Sequence, residues 1–233
     1  MKKIISAILT GAVMCTTCAS AASFNDINGH WAETIINKLA DEGIVSGFGD
    51  NSFVPNGAVT RAEYLKMIMN ATGIEETECG AEGYLDVKQS EWYSGYLKSA
   101  MDKGLIPQEM ITGYKSEIVS ENDETGRPVS SFVKYSGSFN GGLAITREEM
   151  AFLTMSMYQY ILNARTMEGL ADKQEISFTD EDNISQWAVT GVNLAAANGL
   201  IEGMDDGSFQ PKATTTRAQS ATVIGRILNK IKK

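Results

Sequence analysis

One tetrapeptide pattern occurs three times and constrains the whole chain. Thr60-Arg61-Ala62-Glu63 returns as Thr146-Arg147-Glu148-Glu149 and as Thr216-Arg217-Ala218-Gln219. Thr followed three residues later by Glu or Gln is a capping box, in which hydroxyl and carboxylate (or amide) exchange hydrogen bonds with each other's backbone. Each copy therefore predicts a helix start. The Arg falls at the first helical position, where the helix dipole disfavours a cation by roughly 0.3–1 kcal/mol. Three arginines in register at such a position predict a use for positive charge beside helix-end N–H groups, and that combination binds anions.

A second pattern precedes each copy. Trp31, Trp92 and Trp187 are followed at offsets of four, five, eight and nine by Ile35, Ile36, Leu39, Ala40; by Tyr96, Leu97, Ala100, Met101; and by Gly191, Val192, Ala195, Ala196. That is one face of a short helix. Gly43, Gly104 and Gly199 each follow the Trp by twelve residues and predict the helix end, because Gly adopts the left-handed conformation without a Cβ clash. An aromatic with Asp two residues on leads each unit: Phe24 and Asp26, Tyr84 and Asp86, Phe178 and Asp180. Gly47-Phe48-Gly49-Asp50-Asn51-Ser52-Phe53-Val54-Pro55 in unit one parallels Gly203-Met204-Asp205-Asp206-Gly207-Ser208-Phe209-Gln210-Pro211 in unit three.

Trp to Arg spans 30 residues in units one and three but 55 in unit two, so 25 residues are inserted there, within 107–142. Glu117-Ile118-Val119-Ser120 and Ser131-Phe132-Val133-Lys134-Tyr135 around Asn122, Gly126 and Pro128 predict a β-hairpin. The Thr-Arg helices carry apolar faces: Tyr64, Leu65, Ile68, Met69; Met150, Ala151, Thr154, Met155, Tyr158; Ser220, Ala221, Ile224, Leu228. A helix pair this short does not bury such a face alone, so the units are expected to pack on one another.

The N-terminus reads differently. Lys2 and Lys3 precede the apolar Ile4-Ile5-Ser6-Ala7-Ile8-Leu9, and the small residues Ala19-Ser20-Ala21 follow. This is the pattern of a secretory signal peptide over 1–21, with cleavage after Ala21 or Ala22. Its apolar run is too short to span a membrane. Losing Lys2 and Lys3 takes the net charge from −9 to −11. So acidic a chain is a poor partner for nucleic acid, which needs a basic face. Cys15 and Cys18 leave with the signal, and Cys79 alone makes no internal disulfide. It lies beside Glu75, Glu76 and Glu78, whose charge opposes thiolate formation.

Taken together, the aromatic-x-Asp, the Trp, the Gly-ended helix, the Asp-Gly-x-Phe-x-Pro-like loop and Thr-Arg-Ala-Glu resemble the S-layer homology (SLH) module. Units one and three are close matches; unit two matches at both ends and departs in its middle. The resemblance implies a mainly α fold of three modules, at 22–74, 82–160 and 176–233, packed as a pseudo-threefold bundle. It also implies grooves between modules that hold a secondary cell-wall polysaccharide or peptidoglycan-linked glycan, often pyruvylated. The family's main ligand residue carries over to Arg61, Arg147 and Arg217.

Each candidate has a plainer reading. The arginines serve equally, on their residues alone, as structural partners of an acid or a neighbouring helix. A planar carboxylate, such as that of a pyruvate ketal, suits a bidentate guanidinium. Thr60, Thr146 and Thr216 share the same helix starts. Trp31, Trp92 and Trp187 read first as core and second as platforms for sugar rings. Asp50 and Asp206 read as turn formers, lacking the ligand ladder of a calcium loop. His30 is the only His and reads as a surface residue. No catalytic set, metal or cofactor is expected, and the chain reads as a non-enzyme held on a bacterial cell surface. Two other classes stay open: a secreted glycan-cleaving enzyme, and an assembly subunit that contacts a surface protein through the insertion. With the insertion in unit two, Arg147 is expected to be altered or covered, and Arg61 and Arg217 to resemble ordinary family sites.

Overall fold

The computed structural model describes residues 24–78, 85–163 and 176–232. The signal segment, Cys79 and Tyr84 lie outside them. Among the described residues there are six α-helices and one two-stranded antiparallel sheet, besides short 3-10 turns at Gln108–Met110 and Glu181–Asn183: α1 (Glu33–Asp41), α2 (Arg61–Thr72), α3 (Ser94–Asp102), β1 (Thr112–Asn122), β2 (Pro128–Ser138), α4 (Arg147–Ile161), α5 (Val189–Ala197) and α6 (Arg217–Ile231).

The local signals account for the helix ends. All three capping boxes form at Thr60, Thr146 and Thr216. Gly43, Gly104 and Gly199 sit at φ +71°, +67° and +64°. Their N–H groups donate to Ala40, Met101 and Ala196, and the next residues donate one carbonyl further back, to Leu39, Ala100 and Ala195. That is the Schellman pattern, and it closes the last turn of α1, α3 and α5 in the same way.

Between these helices each unit holds an identical clamp that the sequence reading left without a role. Asp26 Oδ1 and Oδ2 accept from the backbone N–H of Phe53 (2.8 Å) and Val54 (2.7 Å). Asp86 does the same for Phe139 and Asn140, and Asp180 for Phe209 and Gln210. The residue after each Phe is left-handed: Val54 at φ +55°, Asn140 at +54°, Gln210 at +58°. The clamp turns the chain sharply and drives Phe53, Phe139 and Phe209 into the core, where all three are fully buried.

The units close on one another through their backbones. Val59 N–H donates to Thr215, Thr215 N–H to Ile145, and Ile145 N–H to Val59, a ring of three hydrogen bonds among buried residues. One hydrophobic core draws on all six helices, including Ile36, Leu65, Leu97, Leu153, Val192 and Ile224. Gly191 lies so close to α4 that a Cβ there would come within 2.8 Å of the Phe152 Cα.

The insertion is the expected hairpin, with Glu117 opposite Lys134, Ile118 opposite Val133 and Val119 opposite Phe132. No helix among the described residues is long and apolar enough to cross a membrane.

Candidate inter-unit grooves

Each Thr-Arg helix points its first turn at the loop of the next unit. Arg61 and Ala62 N–H donate to Leu143 and Gly141; Arg147 and Glu148 to Ala213 and Pro211; Arg217 and Ala218 to Gly57 and Pro55. The third helical N–H is taken by the capping Thr hydroxyl. An anion bound at these helix starts would need these N–H groups as free donors. They are not free, because the neighbouring loop and the cap satisfy them, as a helix end facing protein requires. Thr60, Thr146 and Thr216 act here as caps.

The guanidinium groups follow the same cyclic order. Arg217 Nε donates to Phe53 O (2.7 Å) and Nη2 to Ser46 O (2.8 Å), with the guanidinium 4.5 Å from the Phe53 ring centre. Arg147 Nε donates to Phe209 O (2.8 Å) and Nη2 to Glu202 O (2.9 Å), 4.9 Å from the Phe209 ring. In both, one edge of the fork is fixed on carbonyls and Nη1 makes no hydrogen bond among the described residues. Both arginines are buried, and burial pulls their pKa below the usual value, partly offset at Arg217 by Glu63 and Asp26 and at Arg147 by Asp180.

Arg61 differs. Its Nη1 donates to Phe139 O (3.0 Å) and Met110 O (3.3 Å), while Nε and Nη2 form a bidentate pair with Glu149. The insertion therefore lies against Arg61, and the expectation that it covers Arg147 is corrected. The reason is directional: every Arg reads the loop of the following unit, so the enlarged loop of unit two meets the Arg of unit one.

The capping-box acid explains the rest of the difference. Position three of each helix faces the Arg of the preceding unit. Arg61 meets Glu149 fully; Arg217 meets Glu63 only at 3.9 Å; Arg147 shares its groove with the neutral Gln219.

Among the described residues, two open grooves bring a Thr-Arg arginine and an exposed Trp together. One, of about 230 Å³, is lined by Ser46, Phe48, Glu63, Lys66, Trp92 and Arg217. The other, of about 190 Å³, is lined by Trp31, Arg147, Glu202, Met204, Gln219 and Arg226. Trp31 and Trp92 are 65% and 51% exposed, so their reading as core is corrected. They precede α1 and α3 by two residues and escape the helical periodicity that turns Ile36 and Leu97 inward. Trp187 is half-buried and packs edge-on against Phe152, centroids 5.4 Å apart, where the first groove has Lys66. Lys66 lies 5.5 Å from the Trp92 ring centre, and Arg226 pairs with Glu202 at 2.9 Å. Both cations were missed; their signal was a basic residue on the exposed face of α2 and of α6.

Of the remaining candidates, Asp50 and Asp206 accept from the N–H of Ser52 and Ser208 as turn formers. His30 Nδ1 accepts from Ala32 N–H at the start of α1. Among the described residues no three His, Cys, Asp or Glu side chains group as a metal site.

Two grooves thus combine the first residue of a Thr-Arg helix with an exposed Trp of another unit. The S-layer homology domain profile matches residues 23–65 and 177–221, so the first and last units carry S-layer homology domains. It is 33% identical over 210 residues to the exoglucanase XynX of Acetivibrio thermocellus, covering 90% of this chain and 16% of that protein. It is 32% identical over 208 residues to an amylopullulanase of Thermoanaerobacterium thermosulfurigenes, covering 89% and 10%. With the surface-layer 125 kDa protein of Lysinibacillus sphaericus the identity is 26% over 238 residues, 99% of this chain and 17% of that protein. The chain thus spans less than a fifth of these relatives, and the region it shares with the two glycosidases is common to a surface-layer protein. It is a cell-surface protein with an anchoring role.

Proposed function

We propose that the chain attaches non-covalently to the cell wall by binding an anionic secondary polysaccharide in two of its three inter-unit seams. The observation that carries this is the pairing, twice over, of a half-used guanidinium with an exposed Trp from a different unit: Arg217 with Trp92, and Arg147 with Trp31. The carbonyl-bound edge holds each guanidinium in place, and Nη1 is left toward a carboxylate such as that of a pyruvate ketal. The indole face takes the adjoining sugar ring. Lys66 and Arg226 add a second cation to each groove.

The three stretches 22–74, 82–160 with its insertion, and 176–233 act as SLH modules in a pseudo-threefold bundle, and the ring of hydrogen bonds through Val59, Ile145 and Thr215 supports that reading. The third seam is structural: Glu149 occupies Arg61, and Phe152 with Trp187 fills the place of an open groove.

A pull-down on purified sacculi tests the proposal. The protein should sediment with untreated sacculi and stay in solution once the secondary polymers are chemically stripped. Equal binding to stripped sacculi would overturn it.

A further inference from the structure

The hairpin is the part of the molecule that anchoring does not use. Both outer edges of its sheet lack a neighbouring strand among the described residues. Its apolar side chains face water: Ile118 is 77% exposed, and Val133 and Phe132 each 48%. A two-stranded sheet is marginal in water, and an unpaired edge is a template for another strand.

The sequence of β1 selects the strand that fits. Its uninterrupted ladder runs from Lys115 to Glu121, between irregularities at Thr112/Lys115 and Glu121/Asn122. The centre of that stretch is Ile118. Antiparallel pairing of β1 with itself about a two-fold axis at Ile118 sets Lys115 opposite Glu121 twice and Ile118 opposite Ile118. On one face the row becomes Val133, Ile118, Ile118, Val133, because Val133 already lies opposite Ile118 within each hairpin. Sliding the centre to Glu117 or Val119 brings Glu against Glu. The same operation on β2 about Val133 yields no oppositely charged pair. Side chains directly opposite across strands contribute in the sense of their charges, and like charges oppose pairing.

We propose that β1 pairs with β1 of a second copy of this chain, forming an isologous dimer through a continuous four-stranded sheet. The occupant of the edge is a second copy because the strand is complementary to itself in charge and in apolar pattern at one register. The grooves and the dimer edge lie on separate elements, so one copy can hold glycan and partner together.

Sedimentation over a concentration series tests this on the full chain. The wild type should show a concentration-dependent monomer–dimer equilibrium. Ile118→Lys, which sets two cations face to face on the axis, should be monomeric throughout. Lys115→Glu should weaken association by about tenfold, and Lys115→Glu combined with Glu121→Lys should restore it. The hairpin is exposed, so circular dichroism of each variant should match the wild type. A wild type that stays monomeric at every concentration, or a dimer indifferent to Ile118→Lys and to the charge reversal, would overturn the proposal.

Discussion

Replacing Arg217 by Ala sets two effects against each other. A cation at the first helical position opposes the helix dipole, so its removal favours folding by roughly 0.3–1 kcal/mol. Against this, Phe53 O and Ser46 O lose their charged donor at 2.7 and 2.8 Å. A buried acceptor left unpaired costs about 1–3 kcal/mol. The guanidinium also leaves the Phe53 ring, 4.5 Å away, which costs about 0.5–2 kcal/mol more. Loss therefore wins, by about 3 kcal/mol in all. For a chain of this length that lowers Tm by roughly 6–12 °C. Arg217→Lys keeps the charge but reaches only one carbonyl and should recover less than half. Calorimetric melts of the three proteins measure this. An Arg217→Ala variant melting within about 2 °C of wild type would refute the reasoning. The dipole taken alone gives the opposite sign.

Three further outcomes follow from other elements. Val54 holds φ +55° although it is β-branched, so Val54→Asn, the residue unit two has there, should stabilise by about 1 kcal/mol; a lower Tm would count against the strain. Burial raises the Asp26 pKa, but hydrogen bonds from Phe53 and Val54 N–H outweigh it and leave the group below its usual value. Its folded pKa being depressed, Asp26 contributes stability above the unfolded value, near 4, which is lost as pH falls through the folded one. Melts against pH should therefore fall in the acid range, and Asp26→Asn should be less stable at pH 7 with a shallower decline. Gly191→Ala forces a methyl to within 2.8 Å of the Phe152 Cα and should cost about 1–3 kcal/mol in a denaturant titration; an unchanged midpoint would show that α4 and α5 separate easily.

What the sequence made legible was what a few neighbouring residues decide. Thr60 and Glu63 cap their helix three residues apart, Gly43 ends one through its own backbone, and β1 pairs with β2 across a short turn. The arginine partners were not legible, because Phe53 and Ser46 lie 164 and 171 residues from Arg217 in the chain. Which unit follows which around the ring is a property of packing, and it decides that the insertion meets Arg61. The fork's division into a fixed edge and an open edge depends on the same distant carbonyls. Asp26, Asp86 and Asp180 were visible as a repeat, but their clamp role required the fold. Glu149 and Gln219 were read correctly as capping residues, and their second role, facing the preceding unit's Arg, came only with the arrangement of the units.

The central claim is that two seams take glycan and the third is closed. Isothermal titration with a short wall-polysaccharide fragment carrying one pyruvate ketal counts the sites directly. Two sites are predicted, with Trp31→Ala and Trp92→Ala each removing one and Trp187→Ala retaining both. Three equivalent sites in the wild type, or two sites surviving the combined loss of Trp31 and Trp92, would contradict the account.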